Sequence, residues 1–276
     1  MLKSILVATD FSDRSNKALT RGVQLAKQHH AKLFLAHIID DDQPKRIINA
    51  QTEVATYTLT DIAHDVATTH AIAAESIVKA GTPHITLAKI AKDIAADLLI
   101  VGPHRKHFLK DAFVGTTAER TIKYATCPVL LANNAAQAPY SKALFATDFS
   151  AGAADAAKTL YTLGLIKPED VVLYHAFAVA EPIEKTYTQA AQTAEASLKK
   201  FASAQGFAAA KPIAEAVEES IPTQIHRTAE AENAGLIIVG ARGHTGKTAE
   251  FLEQAFFGSV AKEVTSSAKV DVLVTR

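Results

Sequence analysis

The sequence predicts an α/β protein made of two tandem, doubly wound, five-stranded parallel-sheet domains. Three observations carry this. The 276 residues split into halves that repeat each other. Each half alternates short continuous apolar runs with stretches of helical periodicity. The apolar runs are of the length and continuity expected of parallel strands covered on both faces.

The repeat is read directly. Ile5-Leu6-Val7-Ala8-Thr9-Asp10-Phe11-Ser12 returns as Ala143-Leu144-Phe145-Ala146-Thr147-Asp148-Phe149-Ser150, an offset of 138. His37 returns as His175, and Leu98–Gly102 as Leu236–Gly240, at the same offset. Gly115-Thr116 and Val129-Leu130-Leu131 then match Gly258-Ser259 and Val272-Leu273-Val274 at 143. The second copy therefore carries about five extra residues between Gly240 and Gly258. The polar stretch Asn133 to Pro139 suits a linker, so domains are expected at 1–135 and 140–276.

In the first half, strands are predicted at 3–9, 32–39, 75–80, 97–102 and 128–132. Between them, one helix starts after Ser12, a plausible N-cap, and others cover 44–70, 84–95 and 116–126. In the second half, strands are predicted at 142–147, 170–177, 211–217, 235–240 and 270–275. Helices are predicted at 152–163, 183–205, 222–233 and 259–267.

Composition excludes several classes. Apolar residues make up 48% of the chain, enough for two cores. Lys+Arg and Asp+Glu are both 29, and the halves differ only mildly, +3 against −3, so no nucleic-acid partner is expected. No apolar run approaches the roughly 18 residues of a membrane span. Met1–Ser4 leads straight into a strand-like segment, so no signal peptide is expected. A single cysteine, Cys127, fits a reducing cytoplasm and reads as a packed small apolar residue.

Ligands of doubly wound folds bind beyond the carboxyl ends of the strands, where strand order reverses. Strand ends therefore nominate Asp10, His37, Ile38, Ile39, Gly81 and Gly102 in the first half, and Asp148, His175, Ala176, Phe177, Glu218, Glu219, Ser220 and Gly240 in the second. Each aspartate is placed to accept hydrogen bonds from a ligand or to cap the following helix, and the two roles are compatible. After the fourth strand, glycines permit close backbone approach to a phosphate, and a helix N-terminus adds N–H donors. The second half offers Gly240, Gly243, Gly258 and Ser259; the first offers Gly102, Gly115 and Thr116, with Arg105 where the second glycine would stand. His104, Arg105, Lys106, His107 and Lys110 form a basic cluster that reads as a solvated loop, and no metal site is assigned. Gly243 to Thr248 ends like a phosphate loop, but its glycine spacing does not fit; Lys247 and Thr248 are kept as phosphate contacts. His37 and His175 read as hydrogen-bonded histidines. No nucleophile–base arrangement is legible, so no catalytic residue is assigned.

The Ala-Thr-Asp-Phe-Ser strand end, the histidine after strand two, and Val-Gly followed by Gly-Ser/Thr resemble the universal stress protein family, over essentially the whole chain. The resemblance implies a Rossmann-like sheet of order 3-2-1-4-5 in each domain. It also implies ATP or another adenine nucleotide as ligand in members carrying G-x₂-G-x₉-G-[ST]. The first copy keeps the nine-residue spacing but lacks the second glycine; the second keeps both glycines with a fourteen-residue spacing. On this resemblance Asp148 faces adenosine, the backbone of Ala176 and Phe177 touches adenine, and Gly240, Gly243, Gly258 and Ser259 hold phosphates. Asp10, Ile38, Ile39, Gly102, Gly115 and Thr116 form the first-domain set. The second domain is preferred, because extra loop length can bulge outward whereas Arg105 sits inside the turn. The expected protein is a cytoplasmic, nucleotide-regulated stress-response binding module. The alternatives are a nucleotide-free scaffolding or chaperone-like protein and a weak ATP hydrolase. The tandem arrangement implies an intramolecular pseudo-dimer, with a homodimer possible beyond it.

Overall fold

A computed structural model describes residues 2–103, 117–179, 184–241 and 257–275. The chain divides into two compact units, Met1–Pro139 and Tyr140–Arg276. The basic cluster, Arg105, Gly115, Thr116, Gly243, Lys247 and Thr248 lie outside the described residues.

The first unit contains β1 (Ser4–Ala8), α1 (Asp13–His29), β2 (Lys32–Ile39), α2 (Lys45–His70) and β3 (Ala74–Ala80). It continues with α3 (Pro83–Asp93), β4 (Leu98–Val101), α4 (Thr117–Tyr124) and β5 (Val129–Leu131). Its sheet is parallel throughout, in the order β3-β2-β1-β4-β5. Strand order reverses at β1, which pairs with β2 on one side and β4 on the other. The apolar runs bury almost completely: Ile5, Leu6, Val7, Leu33 and Leu98 to Ile100 are all at 0% exposure. Burial on both faces is what the unbroken apolar pattern demands.

The second unit repeats the plan. It comprises β6 (Ala143–Ala146), α5 (Ala151–Leu163), β7 (Val171–Phe177), α6 (Glu184–Ala204) and β8 (Lys211–Ala216). Then come α7 (Ile221–Ala231), β9 (Leu236–Gly240), α8 (Ser259–Ser267) and β10 (Asp271–Thr275). Its strands are parallel in the order β8-β7-β6-β9-β10.

The third helix of each unit ends two residues before the periodicity suggests. Ala95 and Asn233, 138 apart, both turn left-handed (φ 49° and 54°), which stops the helix and leads directly into β4 and β9. The start of β4 is also a clasp. The Asp97 carboxylate accepts the N–H groups of Lys3 and Ser4 at 2.7 and 2.9 Å, fixing the register of β1 beside it.

Helix α1 lies very close to the sheet, and a glycine permits it. A Cβ on Gly22 would meet Val7 Cγ2 at 2.5 Å and Leu33 Cδ1 at 3.2 Å. Alanine is the better helix former by about 1 kcal/mol, but here overpacking against stiff, buried side chains costs more, typically about 1–3 kcal/mol. Gly22→Ala is therefore expected to lower the denaturant midpoint, and adding Val7→Ala to recover part of the loss. A thermodynamic cycle from chemical denaturation checks this coupling.

Candidate functional site

The site is built on the turn between β1 and α1. Thr9 N–H donates to Ala36 O at 2.9 Å, extending the β1–β2 ladder by one bond. The chain then reverses through Phe11, whose φ is 60°. A left-handed phenylalanine costs roughly 1–2 kcal/mol, so its neighbours must hold it there. Phe11 N–H donates to Thr9 Oγ1 at 3.0 Å, and Ser12 N–H donates to Asp10 Oδ1 at 3.0 Å. The Ser12 hydroxyl donates to the same carboxylate oxygen. Ser12 in turn caps α1 by accepting Ser15 N–H. The Phe11 ring packs on His37 with centroids 4.4 Å apart, and His37 Nδ1 lies 2.9 Å from Thr9 O.

The second unit reproduces this turn nearly bond for bond. Phe149 has φ 62°, and its N–H donates to Thr147 Oγ1 at 3.0 Å. Ser150 N–H donates to Asp148 Oδ1 at 3.0 Å, and Ser150 caps α5 through Ala153 N–H. His175 Nδ1 lies 2.8 Å from Thr147 O, its ring 4.3 Å from that of Phe149. The recurring Thr-Asp-Phe-Ser and histidine thus form a turn lock. The two histidines are hydrogen-bonded, as the sequence suggests.

In the first unit the lock borders a cleft of about 410 Å³, within the roughly 300–1,000 Å³ range of small-molecule sites. It opens beyond the carboxyl ends of β1, β2 and β4, at the strand-order reversal. The structure brings Asp10, Ile38 and Gly102 together on its lining. Ile39 is not among the lining residues; its side chain is 4% exposed and turns to the core, because neighbours on a strand face opposite ways. Residues that sequence reasoning missed complete the wall: Thr9, Arg14 and Ser15 around the lock, Pro83 and Leu87 of α3, and Thr117 and Ala118 in the first turn of α4. Arg14 had a legible signal, since it stands four residues after Asp10 in the first turn of a helix capped by Ser12.

Gly102 has a packing role that phosphate approach alone does not explain. A Cβ there would lie 2.7 Å from Arg14 O and 3.1 Å from Ser15 Cα. Its lack of a side chain lets the end of β4 touch the first turn of α1.

Asp10 is electrostatically distinctive. Partial burial pushes its pKa up, but hydrogen bonds from the Ser12 side chain and backbone and from Ser15, with the Arg14 charge, outweigh that, and the net shift is downward. The Arg14 guanidinium stands 3.8 Å from Asp10 Oδ2.

In the second unit, Gly240 ends β9 opposite Thr275, and Ala176 is half-buried. Phe177 is buried against Ala194 and Ala216, so its side chain serves the core. Gly258 caps α8, with Ser259 as first residue. The Gly258 N–H donates to Ala241 O at 2.9 Å, which commits a donor that sequence reading assigned to phosphate. Among the described residues no group of three or more metal-ligating side chains occurs, and no helix is long and apolar enough to cross a membrane. Cys127 is buried, and burial raises its thiol pKa to about 11.

Two doubly wound units, each with the same locked turn at the strand-order reversal, define a tandem α/β protein, with a cleft at that reversal in the first unit. The universal stress protein family model matches residues 1–133 and again 139–276, and the chain belongs to that family. A universal stress protein of Methanocaldococcus jannaschii is 27% identical over 154 residues, covering 48% of this chain and 94% of its own. One of Bacillus subtilis is 27% identical over 146 residues, covering 48% and 99%. Each of these relatives has about the length of one unit. The crystal structure of a universal stress protein from Archaeoglobus fulgidus superposes with a TM-score of 0.71 at 19% identity, covering 99% of this chain and 96% of that one, and so shares the fold.

Two outcomes are expected. Gly102→Ala drives a Cβ into backbone, so it should destabilise the protein by about 1–3 kcal/mol, read as a lower thermal midpoint. The Asp10 carboxylate has a lowered folded pKa, so its stabilisation is full above the unfolded value of about 3.9 and is lost as pH falls through the folded value. The melting-temperature gap between wild type and Asp10→Asn should therefore be largest near neutrality and close as pH falls below the unfolded carboxylate value. The gap should stay small, since Asp10 is 63% exposed and solvent screens it.

Proposed function

We propose that this chain is a nucleotide-responsive binding module that takes an adenine nucleotide in the cleft of its first unit. One observation carries the choice of unit: Asp10, Ile38 and Gly102 converge on a single cleft of ligand size. The sequence alone favoured the second unit, on loop length. The first is preferred now because Asp10, Ile38 and Gly102 line one cleft there, while in the second unit the Gly258 N–H is already bonded to Ala241 O. Family membership supports the ligand class, through the resemblance to nucleotide-binding members. The apolar wall from Ile38, Pro83 and Leu87 suits a flat base, and Asp10 supplies an acceptor for hydroxyl or amino donors. Ligand occupancy would then alter the surface formed by the α1, α3 and α4 termini, and this is the proposed signal to a partner. A cytoplasmic setting belongs to the reading, supported by the single, buried cysteine.

One observation favours a second reading, a nucleotide-free scaffold. Thr9, Asp10, Phe11, Ser12 and His37 all have structural work in the turn lock, so their recurrence needs no ligand.

Calorimetric titration of the whole chain with ATP, ADP and AMP separates the two. The nucleotide reading expects saturable binding, lost in Ile38→Trp, whose larger ring takes up space in the cleft that Ile38 lines. Heat absent with all three nucleotides in the wild type leaves the scaffold reading standing.

A further inference from the structure

We infer that Arg14 is the anion-holding residue of the first-unit cleft and makes it select phosphorylated nucleosides over uncharged ones, an assignment that rests on the nucleotide reading above. Among the described lining residues, Asp10 and Arg14 are the only charged side chains. Asp10 is a fixed negative charge, pinned by the Ser12 N–H and hydroxyl. An anionic ligand entering beside it is repelled unless a cation joins the site, and among the described lining residues that cation is Arg14.

The geometry leaves Arg14 able to change partner. Its contact with Asp10 is 3.8 Å, at the outer limit of an ion pair, and both side chains are substantially exposed. Such a pair holds weakly, whereas a guanidinium fork meets a phosphate through two parallel, charge-assisted hydrogen bonds. The base of the side chain is fixed even though its head is loosely held. Gly102 packs against the Arg14 carbonyl, and the Ser15 hydroxyl is anchored to Ser12 O at 2.8 Å. When Arg14 turns to a phosphate, the Asp10 oxygen it faced is released to accept from the nucleoside. The second unit lacks the device, since Gly152 stands 138 residues after Arg14. The duplication has therefore left one unit equipped for an anionic ligand at this point.

The test titrates the whole chain with AMP and ATP by calorimetry, and with adenosine by competition, for wild type, Arg14→Gln and Arg14→Lys. Thermal melts confirm that each variant folds. The expected result is a loss of about tenfold in AMP and ATP affinity for the Gln variant. Adenosine should be unchanged, and the Lys variant should retain part of the affinity. Raising salt should weaken AMP binding more in wild type than in Arg14→Gln. The assignment is overturned if AMP affinity is unaffected, if AMP and adenosine weaken together, or if wild type does not prefer AMP to adenosine. A nucleotide held only by the second unit leaves Arg14→Gln like wild type and overturns it as well. Wild type that binds none of the three removes the nucleotide reading itself, a different failure from loss of the Arg14 effect alone.

Discussion

The approach of the α1 N-terminus to the ends of β1 and β4 is the constraint on which the rest of the first unit depends. A doubly wound sheet reverses its strand order at β1, and the chain must leave that strand, turn and start a helix within four residues. It does so through a left-handed phenylalanine, an unfavourable conformation for a β-carbon-bearing residue. Thr9 and Asp10 accept the next N–H groups, Ser12 caps the helix, and His37 supports the Phe11 ring. Gly102 then brings β4 up against the turn. The cleft is the space these contacts leave open at the strand reversal.

The turn lock also sets the electrostatics of the cleft. The N–H and hydroxyl donors that fix Asp10 stabilise its ionised form, so a structural bond network leaves a charged carboxylate at the cleft edge. In the second unit Asp148 likewise accepts Ser150 N–H. The units differ in what surrounds this shared core. Position 14 is arginine in one and position 152 glycine in the other, and the stretched segment after Gly240 belongs to the second alone. Structural constraint has kept the turn the same, while the residues that would meet a ligand have diverged.

Much of this was legible in the sequence. The continuous runs at Ile5–Val7 and Leu98–Val101 can bury on both faces only in a covered parallel sheet, so strands and fold class followed from burial alone. Strand ends nominated Asp10, Ile38 and Gly102 because the topology places the crevice there. Ile39 was nominated with Ile38, but the two-residue alternation of a strand sends it to the core. Pro83, Leu87 and Thr117 were not legible as wall residues, since they meet the β1 end only through helices packed from elsewhere in the chain.

By itself the sequence determined the duplication, the α/β class, the element order and the recurring Thr-Asp-Phe-Ser signal, because each is written in local periodicity or repeated spacing. The tertiary structure alone decided what that signal does. A carboxylate at a strand end can cap, bind or both, and only the hydrogen bonds of Ser12 and the distance to Arg14 show how its charge is held. Whether a glycine serves a ligand or a backbone contact depends on what packs against it. For Gly102 that is the Arg14 carbonyl, a group 88 residues away in the chain, which local pattern cannot reveal.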